Sequence, residues 1–187
     1  MGTIAAVACW CLVILAGTVQ EPKTGVEFAD TIQLAKGTAA CTGTAVRTKW
    51  MIKVYAIAHY GDPALVPAGG SPEERLKQWT DAKALKAFVL KFTYGIDAQK
   101  MREACNEGFD NANYHGKSRG EFLAALQGEL KKGDEFRLVA QADGTLTAEH
   151  NGKVLGAWQD AELVRAVWTI WMGEKSPLSD REKLVAR

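Results

Sequence analysis

A chain of 187 residues with 23 basic and 22 acidic side chains carries a formal charge of +1, and those charges are spread rather than gathered in blocks. That balance argues against a nucleic-acid partner, because a phosphate-binding surface needs clustered Lys and Arg. The length suits one domain that can bury its own core without metal or disulfide support.

The apolar run from Ile4 to Ala16, with Cys9 and Cys11 inside it, is shorter than the roughly 20 residues of a membrane span. It reads as the hydrophobic region of a signal peptide over residues 1–18, with Ala16, Gly17 and Thr18 as small residues where a peptidase could cut. An uncleaved anchor and a buried core segment are the alternatives, since Met1, Gly2 and Thr3 supply no basic region beyond the amino terminus. On the signal-peptide reading, residues 19–187 form one domain, exported to a periplasm or to the exterior, with no membrane span left. No cysteine follows the small residues, as an acylated-lipoprotein cleavage site would require. Cys41 and Cys105 remain, one in a predicted strand and one in a predicted helix, and are read as two separate buried thiols.

After a polar connector at Glu21 to Gly25, Val26 to Leu34 reads as an edge strand, turned by Lys36-Gly37. Thr38 to Val46 is a thin strand of Ala, Thr and Gly that would let another layer pack closely. From Trp50 to Tyr60 the residues alternate, with Ala56, Ala58 and Tyr60 on one face and Tyr55, Ile57 and His59 on the other. That second face could be the wetted side of a sheet or the polar end of an apolar cavity. Ser71, Pro72, Glu73 and Glu74 start a helix running to about Lys83. Lys86 to Phe92 is read as a strand, although Leu85, Phe88 and Phe92 also fit helical spacing. Ala98 to Asn111 is a helix with Met101, Ala104, Cys105 and Phe109 on one face. Ser118 to Leu130 is a second, opened by a Ser118/Glu121 capping box. Asp143-Gly144 and Asn151-Gly152, set between alternating segments, predict a three-strand antiparallel meander. A last helix runs from about Asp160 to Met172 and stops at Gly173.

No phosphate loop, Gly-x-Ser-x-Gly elbow, His-Glu-x-x-His or Cys-x-x-Cys is present. His59, His115 and His150 are scattered, so neither metal nor cofactor is expected. Arg47, alone in a run otherwise fit for a sheet, is either a half-exposed strand arginine with an ion-pair partner or part of a site.

Four segments bear on that choice: Gly43-Thr44-Ala45-Val46-Arg47, Lys53-Val54-Tyr55-Ala56-Ile57-Ala58-His59-Tyr60, Phe122-Leu123-Ala124-Ala125-Leu126 followed by Lys132-Gly133-Asp134, and Ala166-Val167-Trp168 leading to Trp171-Met172-Gly173-Glu174-Lys175-Ser176-Pro177. In that order they resemble the chalcone isomerase-like family. The resemblance implies an α+β fold, an open-faced β-sandwich in which a layer of helices covers an antiparallel sheet and a ligand cleft lies between them. Catalytic members close a flavanone ring and hold the anionic oxygen with an arginine whose counterpart is Arg47, a role suited to a guanidinium. Their threonine falls at Tyr55, their tyrosine and asparagine near Asp97 and Ala104, and the hydroxyl residue of the last helix at Ile170, so the isomerase machinery is absent. Non-catalytic members, including plastid fatty-acid-binding proteins, resemble the chain better, with the arginine and a tyrosine in the Lys-Val-Tyr-Ala run.

The leading expectation is thus a non-catalytic binder of a small apolar carboxylate such as a fatty acid, with Arg47, Tyr55, Tyr60 and Lys100 as candidate ligand-binding residues. An isomerase or lyase using Arg47, with Tyr55 or His59 as acid or base, is the enzymatic alternative, and a structural or partner-docking domain is the third. The leading reading makes a geometric demand. Arg47 and Tyr55, eight residues apart, would be about 26 Å apart on one straight strand. They can share a head group only if the chain turns between them, yet Thr48 to Ile52 contains no Gly, Pro, Asn or Asp.

Overall fold

The computed structural model describes residues 17–65 and 69–187. The body of the expected leader, residues 1–16, lies outside the described residues.

Alternating apolar residues build one antiparallel sheet in which each strand pairs with its neighbour in sequence: β3 (Thr31–Leu34), β4 (Gly37–Lys49), β5 (Ile52–Gly61), β6 (Lys86–Phe92), β7 (Glu135–Ala140), β8 (Thr145–His150) and β9 (Lys153–Gln159). A separate ribbon pairs β1 (Thr18–Gln20) with β2 (Glu27–Ala29). The helices are α1 (Pro72–Asp81), α2 (Ala98–Asn111), α3 (Ser118–Ala125) and α4 (Ala161–Met172), and a 3-10 turn at Arg181–Val185 follows the last of them. The fold is the α+β open-faced sandwich expected from the sequence.

The strand period of two sorts the side chains cleanly between the faces. Tyr55, Ile57, Phe88, Leu90, Phe92, Phe136 and Leu138 join the helices in the larger core. Ala56, Ala58, Tyr60, Ala87, Val89 and Val139 face the other way, in a smaller cluster with Phe28 of β2. The face carrying Tyr55 and His59 is therefore the one under the helices. Cys41 belongs to the smaller cluster and Cys105 to the larger, and both thiols are free and buried.

Three segments depart from their expected form. The edge strand read over Val26 to Leu34 breaks at Asp30, whose N–H donates to Gly17 and whose carbonyl accepts from Cys41, so β2 joins the ribbon and β3 the main sheet. The Ser118 capping box does not form: Lys117 holds the cap position without a side-chain bond, and Ser118 is buried. That helix ends at Ala125 because Leu130 exchanges both backbone hydrogen bonds with Ile96, at 2.8 and 2.9 Å, and tertiary pairing outweighs further helical turns. Finally, β4 and β5 form a tight hairpin. Trp50 and Met51 take φ of 50° and 67° at its tip, the sign pattern of a type I′ turn, with neither Asn nor Gly present.

Two glycines let backbones approach. A Cβ on Gly43 would lie 1.9 Å from the Lys183 carbonyl, so the C-terminal turn rests directly on β4. A Cβ on Gly108 would lie 2.6 Å from Ile170, which sets how closely α2 approaches α4.

Candidate functional site

The hairpin supplies the turn that a shared head-group site requires. Arg47 on β4 pairs directly with Tyr55 on β5, and directly opposed strand residues hold their Cβ atoms about 5 Å apart on one face. The register slips just beyond this pair, and Val54 lines the same cavity as Tyr55.

Between this end of the sheet, α2 and α4 lies a cleft of about 510 Å³, within the usual range for a small-molecule site. Its buried lining comes from Tyr55, Met101, Cys105, Gly108, Ile170 and Trp171, with Val54, Ile96 and Pro177 half-buried beside them. Lys49, Lys100, Glu107, Asn111, Glu174 and Lys175 are exposed around it. The site is an apolar trough with a charged rim, in which cations outnumber carboxylates.

Arg47 is half-buried, and its Nη1 donates to the carbonyls of Pro177 at 2.7 Å and Thr48 at 3.2 Å. Its Nε and Nη2 form no hydrogen bond among the described residues. The segment after α4 presents that carbonyl: Ser176 Oγ donates to Trp171 O at 2.7 Å and accepts from Leu178 N at 3.2 Å, folding the chain back over the strand end. The Tyr55 hydroxyl accepts from Trp171 Nε1 at 3.0 Å. Burial pushes its pKa up to about 12, so it is a neutral phenol with its own proton to donate.

The expected site residues divide. Arg47, Tyr55 and Lys100 all line the cleft. Lys100 stands at the rim, its ammonium 3.3 Å from Asp97 in an exposed pair that leaves it free to reorient. Tyr60, expected as the alternative hydroxyl, lies on the opposite face of the sheet, buried with its OH donating to Ala29 O at 2.8 Å. Its position five residues from Tyr55 puts it there, since an odd separation along a strand reverses the face.

His59, considered as an acid or base, is sealed in the core away from the cleft lining. Its Nε2 accepts from Trp168 Nε1 at 3.1 Å, which assigns the ring proton to Nδ1, 2.7 Å from Thr42 Oγ1. Thr42 in turn donates to Leu184 O at 2.6 Å. Burial, and then the charge of Lys86, hold the ring well below the ordinary histidine pKa, so it stays neutral. Sequence reasoning missed Trp171, Pro177, Lys49 and Lys175 as parts of the site. Only Met101 and Cys105, through their helical spacing, signalled a face that could wall a cavity.

Residues 20–183 match the sequence model of chalcone isomerase-like proteins. The chain belongs to the chalcone isomerase-like family. Among solved structures it is similar to the crystal structure of an Arabidopsis thaliana fatty-acid-binding protein, with a TM-score of 0.74 and 20% sequence identity, covering 91% of this chain and 96% of that one. No curated protein matches the sequence. Within this chalcone isomerase-like frame, Tyr55, Ala104 and Ile170 line the cleft. Asp97 instead caps α2, accepting from Lys100 N at 2.8 Å.

Proposed function

We propose that this chalcone isomerase-like protein is an exported, non-catalytic binder of a small apolar carboxylate such as a fatty acid, held in the cleft between sheet and helices. The observation that carries the reading is Arg47, fixed through Nη1 to Pro177 O at the edge of an apolar trough, with Nε and Nη2 making no hydrogen bond among the described residues, beside the neutral phenol of Tyr55. A carboxylate suits both groups, accepting from a guanidinium and a phenol while its alkyl chain covers Met101, Cys105 and Ile170. The similarity to a fatty-acid-binding protein supports the same ligand class. Export rests on the apolar run from Ile4 to Ala16 and the small residues after it.

A charge-assisted hydrogen bond contributes roughly 1.5–3 kcal/mol, so Arg47→Ala should weaken fatty-acid binding by about one to two powers of ten. Titration of the folded variant with a fluorescent fatty acid checks this, and an unchanged affinity would return Arg47 to the role of a strand arginine tied to a backbone carbonyl.

A further inference from the structure

The tip of the β4–β5 hairpin places large apolar side chains in water. Trp50 is 87% and Met51 95% exposed, with Ile52 at 42% beside them, whereas Trp79, Trp158, Trp168 and Trp171 are all buried. Neither tip residue joins a core cluster. Both hold a positive φ that Asn or Gly adopts far more readily. The tip therefore costs stability twice, in backbone conformation and in exposed apolar surface, with no core packing among the described residues to offset either. Costs of this kind concentrate where a segment meets something else.

The flanking residues indicate what that something is. Exposed Lys49 and Lys53 stand on the two strands just behind the tip, Lys49 paired with Ile52 and Lys53 with Thr48, and the Lys53 ammonium, which donates to Lys23 O, keeps two further N–H groups to offer. A protruding pair of apolar side chains backed by lysines complements a bilayer, where indole sits among head groups, thioether and alkyl groups reach the acyl chains, and ammonium groups meet lipid phosphate. We propose that the hairpin tip, residues 49–53, docks on an anionic lipid bilayer. Arg47 lies about 10 Å behind the tip on the same strand, so docking brings the cleft mouth to the membrane surface, where an apolar carboxylate could exchange without crossing bulk water. That last consequence rests on the ligand reading above, whereas docking itself stands on the hairpin.

The test is sedimentation of the purified protein with phosphatidylcholine vesicles that contain or lack phosphatidylglycerol. Association with the phosphatidylglycerol vesicles is expected, weakened by added salt. The Trp50→Asn/Met51→Gly double variant, which gives the turn its preferred residues, should bind them at least about tenfold more weakly. Neither of those side chains lines the cleft, so the variant should keep its affinity for a soluble fluorescent fatty acid in vesicle-free buffer. Equal sedimentation of both proteins, no sedimentation of either, or a solution dimer that the double variant dissolves would overturn the proposal. A difference at the vesicle with no fatty-acid binding by either protein would uphold docking and remove the cleft reading instead.

Discussion

Lys86 is completely buried, a rare position for a lysine, and its surroundings explain how it is tolerated. Its Nζ donates to Trp79 O at 2.5 Å and Thr80 O at 3.2 Å, the C-terminal carbonyls of α1, and stands 4.7 Å from the centre of the Trp168 ring. Burial nonetheless lowers its pKa to about 7, against the opposing influence of Asp81. The unfolded chain, with an ordinary lysine near 10.5, therefore takes up a proton that the folded chain refuses over the interval between these values. Stability is present at the alkaline end and is lost as pH falls toward 7, at up to about 1.4 kcal/mol per pH unit. His59, also held neutral, extends the loss below its ordinary value of about 6.5. Denaturation between pH 7.5 and 9 should show stability rising with pH, and Lys86→Met should remove most of that slope. At the cleft, Ala104 and Ile170 offer only carbon where ring closure would need hydrogen-bonding groups to orient the reacting oxygen. The protein should therefore cyclise naringenin chalcone no faster than buffer does. Turnover abolished by Arg47→Ala would establish the enzymatic alternative.

At the scale of elements, the hairpin tip makes a prediction of its own. A residue with a Cβ in the left-handed region costs on the order of 1–2 kcal/mol, so Trp50→Asn/Met51→Gly should raise the unfolding free energy by about 1–3 kcal/mol in chemical denaturation. The tip also marks a limit of the sequence. Cap and turn chemistry locate α2, α4 and the meander closely, because Asp97, Asp160, Gly144 and Gly152 act locally, whereas the apolar spacing of β6 fits a helix as well as a strand. The Trp50-Met51 turn has no such local cause, since the alignment of long flanking strands imposes it. The C-terminus of α3 failed for the same reason, as the helical spacing of Phe122, Leu126 and Leu130 cannot report that Leu130 will pair with Ile96. Of the site, Arg47 and Tyr55 were legible once a hairpin was assumed. Trp171 and Pro177 were not, because they reach Tyr55 and Arg47 from more than a hundred residues away.

At the scale of the whole molecule, the short β1–β2 ribbon begins at Thr18, the last residue of the expected leader, and Phe28 of β2 covers the sheet face opposite the helices. Removal of residues 1–18 would take Thr18 and the Gly17 carbonyl to which Asp30 donates, while Val19 and Gln20 would still pair with Phe28 and Glu27. Mass spectrometry of protein recovered from its native host should find a chain starting near Val19, and an intact Met1 would defeat export. The described residues contain no helix long and apolar enough to cross a membrane. Every strand of the main sheet pairs with the one made just before it, so pairing can follow the chain as it emerges from synthesis. The bonds from Trp168 to His59, from Trp171 to Tyr55 and from Arg47 to Pro177 all await the final stretch after β9. A growing chain would thus carry a paired sheet whose helix-side face is still partly bare, and the cleft would be the last feature to be closed.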